Sequence, residues 1–419
     1  MKKLELLAPA GSPEKMEYAF AYGADAVYIG IPDFSLRVRI NKFGLDDVRK
    51  AIVEAHKLKK KIYVTINIYA HNEHLKKIPT YLKKLNLWRP DALIISDPGI
   101  IQLAKKYCPK IDIHLSTQAN ATNWQAVKFW QKVGVKRVIL GREVTLAEIK
   151  EINKQCPKIE LEYFVHGAMC MSYSGRCMLS AWLTGRSANL GDCAQPCRWK
   201  YTIDNVQVEL TEPLHPNEKI PVEEDQNGTY IFNSKDLCLI EYLPELIKAG
   251  ITSFKIEGRA KSVAYLSAVC KAYSLALQEK KIKRLKDLKI KYLDSLMTRG
   301  YTTGFLFGRE IVEQNTEFSH IGGEEKFVGE VVGCFPLLPE EGVGGGGRYR
   351  INFKPHNALF AGNKIRIIRP FAKDVEITLE KMYNIKDQEV TEVHGGTSGI
   401  YYFKNKNLIP KYSIIQKDI

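Results

Sequence analysis

A short β-branched run followed by an amphipathic stretch recurs along the first part of the 419-residue chain. This alternation is typical of parallel βα units. The runs that read as strands span residues 4–10, 26–31, 61–68, 92–96, 112–117, 137–141, 160–167 and 253–259. Eight such units predict a closed (β/α)8 barrel in preference to an open doubly wound sheet, so the expected fold class is α/β and TIM-like.

Local start signals support helices between these strands. Ser12 can cap a helix whose first position is Pro13. Thr145 and Glu148 have the spacing of a capping box, in which each side chain binds the other residue's backbone N–H.

The pattern of predicted secondary structure changes beyond the barrel. We predict a barrel over 1–280 with a cysteine-rich insertion at 168–235, a basic helical connector over 281–324 and a small all-β barrel domain over 325–419. The glycine-rich stretch 340–347 reads as a flexible turn, because no Walker pattern follows it.

Four of the nine cysteines fall in one segment that begins where the seventh strand ends. Their spacing is C-x₆-C-x₁₅-C-x₃-C, at Cys170, Cys177, Cys193 and Cys197. The N-terminus has no apolar segment of signal-peptide length, and no window approaches the ~20 apolar residues of a membrane span. We therefore expect a cytoplasmic protein with no membrane contact, in which clustered cysteines are metal ligands or redox centres more often than disulfides.

The spacing alone leaves three uses of these thiols open. An iron–sulfur cluster accepts variable ligand spacings, whereas structural zinc prefers cysteine pairs separated by a few residues, and redox-active or free thiols need no metal. Arg176, Arg186 and Arg198 flank the cysteines and could offset the negative charge of a thiolate-ligated cluster. Cys238 could replace one ligand, or it could be a buried residue at a helix start.

Polar residues stand where the predicted strands end, which is the catalytic face of such barrels. We expect them to line one cavity beside the cysteine segment. The candidate catalytic residues are His166, Glu143 and Glu257, and the candidate substrate-binding residues are Gln118, Arg142, Arg259 and Asn67. Structural salt bridges of the two glutamates with Arg142 and Arg259, and a histidine bonded to backbone in the core, are the alternative interpretations.

The charge of the chain favours a polyanionic partner. Lysine and arginine exceed aspartate and glutamate by 62 to 47, which gives a net charge of +15. The stretch 280–291 is locally one-sided, and we expect Lys283, Arg284 and Lys286 to bind RNA phosphates there. A solvated amphipathic helix is the alternative interpretation.

Six motifs occur in order along the chain: "LLAPAGSPEKMEYAFAYGADAVYIG", "HLSTQAN", "EYFVHGAMCMSYSGRC", "GDCAQPCRWKY", "FNSKDL" and "FKIEGRAKS". Together they resemble the peptidase U32 family, and within that family the tRNA hydroxylation protein P type. The resemblance implies prephenate-dependent 5-hydroxylation of the wobble uridine in tRNA. It also implies a [4Fe-4S] cluster on the four clustered cysteines, and zinc, which the spacing leaves open, is the alternative. The sequence does not identify the electron donor or any partner subunit.

A tRNA and a small dicarboxylate such as prephenate are accordingly the expected partners. Arginines suit a dicarboxylate, because a guanidinium can hold a carboxylate through two hydrogen bonds. The family name raises a second function, a collagenase-like peptidase, although no recognised nucleophile or metal-bound water arrangement is visible in the sequence. A non-catalytic RNA-binding protein is the third possibility.

Overall fold

The structure is a computed structural model of the whole chain. It describes residues 3–36, 41–170, 172–173, 176–199, 210–211, 219–220, 233–279, 281–308, 320–323, 325–337, 349–396 and 399–418. The predicted turn at 340–347 lies outside the described residues. The chain divides into two compact units: one of Met1–Pro13, Ala26–Ala260 and Met297–Ile321, and one of Glu14–Asp25, Lys261–Leu296 and Gly322–Ile419.

The first unit contains a closed ring of eight parallel strands, which confirms the predicted barrel. Each strand pairs with the next along the ring, and β11 closes it by pairing with both β7 and β1. The strands are β1 Glu5–Pro9, β2 Ala26–Gly30, β3 Lys61–Ile66, β4 Ala92–Ile95, β5 Asp112–Leu115, β6 Arg137–Ile139, β7 Glu160–Ala168 and β11 Ile251–Ile256.

A helix follows each barrel strand along the chain. These helices are α1 Pro13–Ala21, α2 Leu45–Lys57, α3 Asn72–Trp88, α4 Pro98–Tyr107, α5 Trp124–Val133, α6 Leu146–Gln155, α8 Leu243–Ala249 and α9 Val263–Gln278. The predicted capping box is present at α6, where the Thr145 hydroxyl accepts from Glu148 N and the Glu148 carboxylate accepts from Thr145 N at 2.8 Å. Within the described chain, no helix is both long and apolar enough to cross a membrane.

The segment between β7 and α8 carries short elements. They are α7 Leu179–Thr184, the 3-10 turns Ala188–Leu190, Pro196–Arg198 and Ile240–Tyr242, and the strands β8 Leu210–Thr211, β9 Lys219–Ile220 and β10 Asp236–Cys238. β10 runs antiparallel to the end of β7 and pairs with β12 Tyr301–Thr302. Cys238 therefore lies buried in a short strand and not at a helix start.

The C-terminal strands of the second unit form a curled antiparallel sheet, which agrees with the predicted all-β character. Its strands, in spatial order, are β17 Val375–Thr378, β16 Lys364–Ile368, β22 Ile414–Asp418, β13 Glu325–Pro336, β14 Tyr349–Pro355, β21 Tyr401–Asn405, β18 Met382–Asn384 and β19 Glu389–Val390. A separate pair consists of β15 Leu359–Phe360 and β20 Glu392–Val393. Two bulges in β13 curl the sheet around an apolar core that includes Val331, Phe353 and Ile415.

Helices α1, α9 and α10 Ile282–Tyr292 belong to the second unit. Tyr22, directly after α1, donates to the carbonyl of Ile368 at 2.7 Å, and Lys271 of α9 donates to the carbonyl of Arg369 at 2.7 Å. The predicted domains are continuous stretches of sequence divided at residues 280 and 324. Each compact unit instead combines several separated stretches, because contacts such as these join residues that are distant in sequence.

Candidate functional site

A cavity opens at the carboxyl ends of the barrel strands. Five of the seven predicted strand-end residues line it, together with one of the four clustered cysteines. The lining residues are Tyr28, Leu36, Thr65, Asn67, Ile94, Ser116, Thr117, Gln118, Ile139, Arg142, Phe164, Ala168, Cys170, Lys255, Glu257 and Arg259. The charged side chains of this lining are three cations and one carboxylate, so the cavity suits an anionic ligand.

Arg142 is the cation best placed to receive a ligand. Its guanidinium lies over the ring of Phe164, 4.0 Å from the centroid. No carboxylate of a described residue forms an ion pair with it. Tyr163 fixes the backbone below, because its hydroxyl donates to the carbonyls of Arg142 at 3.1 Å and Val144 at 2.8 Å. The aromatic support orients the guanidinium without neutralising its charge.

Gln118 presents an unsatisfied acceptor in the same cavity. Its Oε1 is buried and accepts no hydrogen bond from the described residues. Buried polar atoms of this kind usually have a partner, so the atom indicates a donor supplied by a ligand or water. Both polar atoms of the Asn67 side chain, in contrast, have partners within the protein. Its Oδ1 accepts from Leu36 N at 3.1 Å and its Nδ2 donates to Ser116 Oγ at 3.4 Å.

The third cation, Lys255, was not predicted. It lies on β11 at the base of the cavity, with its ammonium 2.7 Å from Glu162 Oε1 and 4.4 Å from the centre of the Tyr28 ring. Burial lowers the pKa of Lys255, although Glu162 acts in the opposite direction. The sequence does contain a signal for Lys255. Ser253, Lys255 and Glu257 alternate along one strand, so their polar side chains face the same side, which is the barrel interior.

A buried network of charges lies below Lys255. Arg137 Nη1 donates to Glu5 Oε1 at 2.5 Å and to Glu162 Oε2 at 3.1 Å, and Ser253 Oγ lies 3.0 Å from each of these oxygens. Burial alone would raise the pKa of Glu5, yet Arg137 and Tyr63 hold it below its ordinary value. These contacts fix the strands that carry the cavity residues.

Glu257 and His166 occupy different positions relative to the cavity. The backbone N–H of Glu257 donates to the His166 carbonyl at 2.8 Å, and Gly167 permits this approach because a Cβ there would lie 2.4 Å from the Glu257 carbonyl oxygen. Gly167 also has a φ of +109°. Glu257 lines the cavity, whereas the buried His166 ring packs against Tyr301, 5.7 Å between centroids, and is not a lining residue.

Glu143 also lies away from the cavity lining. Its Oε2 folds back against Gly141, 2.6 Å from the position that a Cβ of Gly141 would take. The structure thus brings Gln118, Arg142 and Glu257 together, as expected, whereas Glu143 and His166 are not among the lining residues. The catalytic roles assigned to these residues stay predictions.

The cysteine segment is tied to the mouth of the cavity. Cys170 lines the cavity, and the backbone N–H of Tyr69, just beyond β3, donates to the Asn189 carbonyl at 3.1 Å. Cys177, Cys193 and Cys197 are half-buried free thiols. Burial raises the pKa of Cys197, and charge on Cys170 or Cys193 acts in the same direction.

Four cysteine thiols are the donors that the expected iron–sulfur cluster requires. In the described part of the chain, no group of three or more His, Cys, Asp or Glu is positioned to hold a metal ion. The Gln195 N–H donates to Cys193 Sγ at 3.3 Å, and Arg198 and Arg299 act against the rise that burial causes in the pKa of Cys197. Both contacts are compatible with a thiolate-ligated cluster. The cluster therefore stays a prediction.

Comparison with known proteins identifies the family. The model of peptidase family U32 matches residues 11–316. The chain belongs to peptidase family U32. It is 39% identical to tRNA hydroxylation protein P of Haemophilus influenzae, over all of this chain and 96% of that protein. It is 37% identical to the 23S rRNA 5-hydroxycytidine C2501 synthase of Escherichia coli, over 65% of this chain and 39% of that protein. A solved U32 peptidase structure matches 62% of this chain and 94% of its own chain, with 12% identity and a TM-score of 0.40.

Two basic side chains of helix α10 in this U32 protein are paired with carboxylates, which the sequence does not suggest. Lys283, Arg284 and Lys286 are all exposed. However, Arg284 Nη1 lies 3.0 Å from a carboxylate oxygen of Glu279, and Lys291 Nζ lies 3.2 Å from one of Asp374. Leu285 and Tyr292 are buried, so the helix also has the apolar face of the alternative interpretation.

Proposed function

We propose that this protein is an RNA-modifying enzyme that hydroxylates carbon 5 of the wobble uridine in tRNA, with prephenate or a similar small dicarboxylate as co-substrate. The names of its relatives support hydroxylation of RNA, and tRNA as the substrate. The observation that carries the dicarboxylate is the cationic cavity, where Arg142 has no ion-pair partner and Gln118 Oε1 has no donor among the described residues.

In this proposal Arg142 and Arg259 each bind one carboxylate. Arg259 is held from the side, because its Nη2 donates to the Leu36 carbonyl and its guanidinium lies 5.8 Å from the centre of the Tyr28 ring. Lys255 adds a third positive charge at the base of the cavity. A low-dielectric site with fixed cations binds an anion more strongly than water-exposed cations do.

Glu257 is the proposed proton acceptor, since it is the one carboxylate among the described residues that line the cavity. Its backbone is fixed by the hydrogen bond to His166, so its carboxylate starts from a defined position. In this proposal His166 and Glu143 act through the backbone segments that they support.

The proposed cofactor is a [4Fe-4S] cluster held by Cys170, Cys177, Cys193 and Cys197, with zinc as the alternative. When bound, an iron–sulfur cluster would supply electron transfer, with the electrons coming from a separate donor or partner subunit. The partial exposure of the four thiols and the nearby guanidinium groups support this assignment.

The function is tested in a bacterial strain that lacks its own tRNA hydroxylation protein. Expression of the chain should restore 5-hydroxyuridine in tRNA, measured by nucleoside mass spectrometry with and without prephenate. Arg142→Gln should abolish restoration and weaken prephenate binding about tenfold or more in calorimetry, because it removes a charge-assisted pair of hydrogen bonds. The matched control is Arg49→Gln, which changes an exposed arginine on α2.

Two results would count against the proposal. One is unmodified tRNA in cells that contain the folded protein and prephenate. The other is casein or collagen cleavage that copurifies with the chain through every step and is lost in Glu257→Gln, which would favour the peptidase.

A further inference from the structure

Three aromatic side chains of the cysteine segment are exposed. Trp182 is 78% exposed, Tyr173 55% and Trp199 43%, whereas the other three tryptophans of the chain are half-buried. Met178, between them in sequence, is also exposed. Exposed apolar groups concentrated in one short segment generally mark a surface that binds something.

The local fold holds Trp182 and Trp199 on one small framework. Trp182 lies on α7, and Trp199 follows directly after the 3-10 turn Pro196–Arg198. Ser180 links the two elements, because its Oγ donates to the Arg186 carbonyl at 2.7 Å and accepts from Ala194 N at 2.9 Å. The side chain of Ser180 is fully buried, so α7 faces this turn with its polar side and leaves Trp182 outside.

Charge indicates the kind of partner. Between residues 172 and 199 the sequence has three arginines, Arg176, Arg186 and Arg198, and one acidic residue, Asp192. Asp192 pairs with Arg186 at 3.0 Å. Arg176 is exposed and forms no ion pair with a described residue. Exposed aromatics interleaved with arginines suit unpaired nucleotides, whose bases stack on rings and whose phosphates attract guanidinium groups.

The segment that carries these aromatics also adjoins the cavity. Cys170 lines the cavity at the start of the segment, and the bond from Tyr69 N to Asn189 O ties its middle to the mouth. Chemistry on a base requires that base to be unstacked, and the bases that flank it lose their stacking partners in the same step. Aromatic side chains at the rim would replace that lost stacking.

We infer that the aromatic surface formed by Tyr173, Trp182 and Trp199 is a stacking platform for the unpaired loop of an RNA substrate. The inference rests on the proposed function, in that it takes RNA as the substrate, and it adds where the loop is held. Paired RNA does not use this surface, because its bases are already stacked.

The test compares an anticodon stem-loop RNA with a fully paired duplex of the same stem, using protein purified without oxygen. Trp182→Ala should weaken binding of the stem-loop about tenfold and leave duplex binding unchanged. Trp182→Phe should keep most of the affinity, because it keeps a ring. The matched control is Phe129→Ala, which removes an exposed aromatic from α5 and should change neither affinity.

A second measurement is independent of any folding defect. With 5-bromouridine in the loop, ultraviolet light should crosslink the wild-type protein at the peptide that contains Trp182 or Trp199, and not when the base analogue is in the stem. Equal affinities of wild type and Trp182→Ala for the stem-loop, or crosslinks confined to other peptides, would refute the platform. So would a dimer of the purified chain that dissociates in Trp182→Ala, which would assign the surface to a second copy.

These outcomes are separate from the proposed reaction. If the chain restores no 5-hydroxyuridine, the proposed function fails, but the difference between stem-loop and duplex still decides the platform. If hydroxylation is restored and Trp182→Ala binds the stem-loop normally, the platform fails alone.

Discussion

The ammonium of Lys255 lies 2.7 Å from Glu162 Oε1, and both side chains are buried inside the barrel. Glu162 in turn binds Arg137 through its other oxygen at 3.1 Å. The base of the cavity is therefore the top of a continuous charge network, and the same contacts that bind strands β6, β7 and β11 together place a cation at the base of the cavity.

The first prediction concerns the stability that this pair provides. Lys255→Met should lower the free energy of unfolding by about 3 kcal/mol, because a buried carboxylate loses one of its cations. The double variant Lys255→Met/Glu162→Leu should recover part of this loss, since no uncompensated carboxylate remains there. Chemical denaturation of both variants measures the effect. The control is Lys61→Met, whose side chain is 56% exposed and which should cost less than about 1 kcal/mol.

If the double variant is no more stable than Lys255→Met, the unpaired Glu162 carboxylate is not the cause of the lost stability. A wild-type stability in Lys255→Met would contradict the network altogether.

The barrel was predictable because its strands are buried on both sides and read as apolar β-branched runs at regular intervals. The roles of Lys255 and Glu162 were not predicted, because each is a charged residue within a buried strand that otherwise reads as apolar. The interior direction of Lys255 follows from its place between Ser253 and Glu257, two residues away on either side.

The position of His166 was not predictable in the same way. The pairing of β7 with β11 shifts register between Lys255 and Ile256, where Phe164 and His166 are the successive partners. A bulge of this kind redirects every side chain beyond it, and it depends on contacts between strands that are distant in sequence. The position of the Glu143 side chain was not predictable for a similar reason, since its contact with Gly141 depends on the conformation of one loop.

The second prediction tests the cysteine assignment. Replacing Cys170, Cys177, Cys193 or Cys197 with Ala should each remove the brown colour and most of the iron and sulfide from protein purified without oxygen, because each is an expected ligand. The control is Cys270→Ala, which changes a fully buried thiol of α9 and should leave the colour intact. Stoichiometric zinc without iron in the wild type would decide for the alternative metal.

The third prediction concerns α10. Changing Lys283, Arg284 and Lys286 together to Glu should weaken tRNA binding and reduce the slope of its salt dependence by about 2, because fewer phosphates are neutralised. Arg284→Glu alone should have a smaller effect than Lys283→Glu, since Glu279 already pairs with Arg284. The visible spectrum of the cluster should not change. If the triple variant binds tRNA normally and cells retain their 5-hydroxyuridine, the helix has only a structural role.

The last prediction is the acid sensitivity of the second unit, where Asp374 joins several cations. Burial would raise the pKa of Asp374, but Lys271 at 2.5 Å and Lys291 at 3.2 Å hold it below its ordinary value. A carboxylate with a lowered pKa stabilises the fold above its unfolded pKa of about 4, and this contribution is lost as the pH falls through the folded pKa. Asp374→Asn should therefore cost about 3 kcal/mol at neutral pH, and progressively less below about pH 4, in denaturation measured across that range. Asp387→Asn, at a pair whose carboxylate is 68% exposed, should cost less than about 1 kcal/mol at any pH. A cost for Asp374→Asn that stays constant down to strongly acidic pH would mean that its charge is not what stabilises this unit.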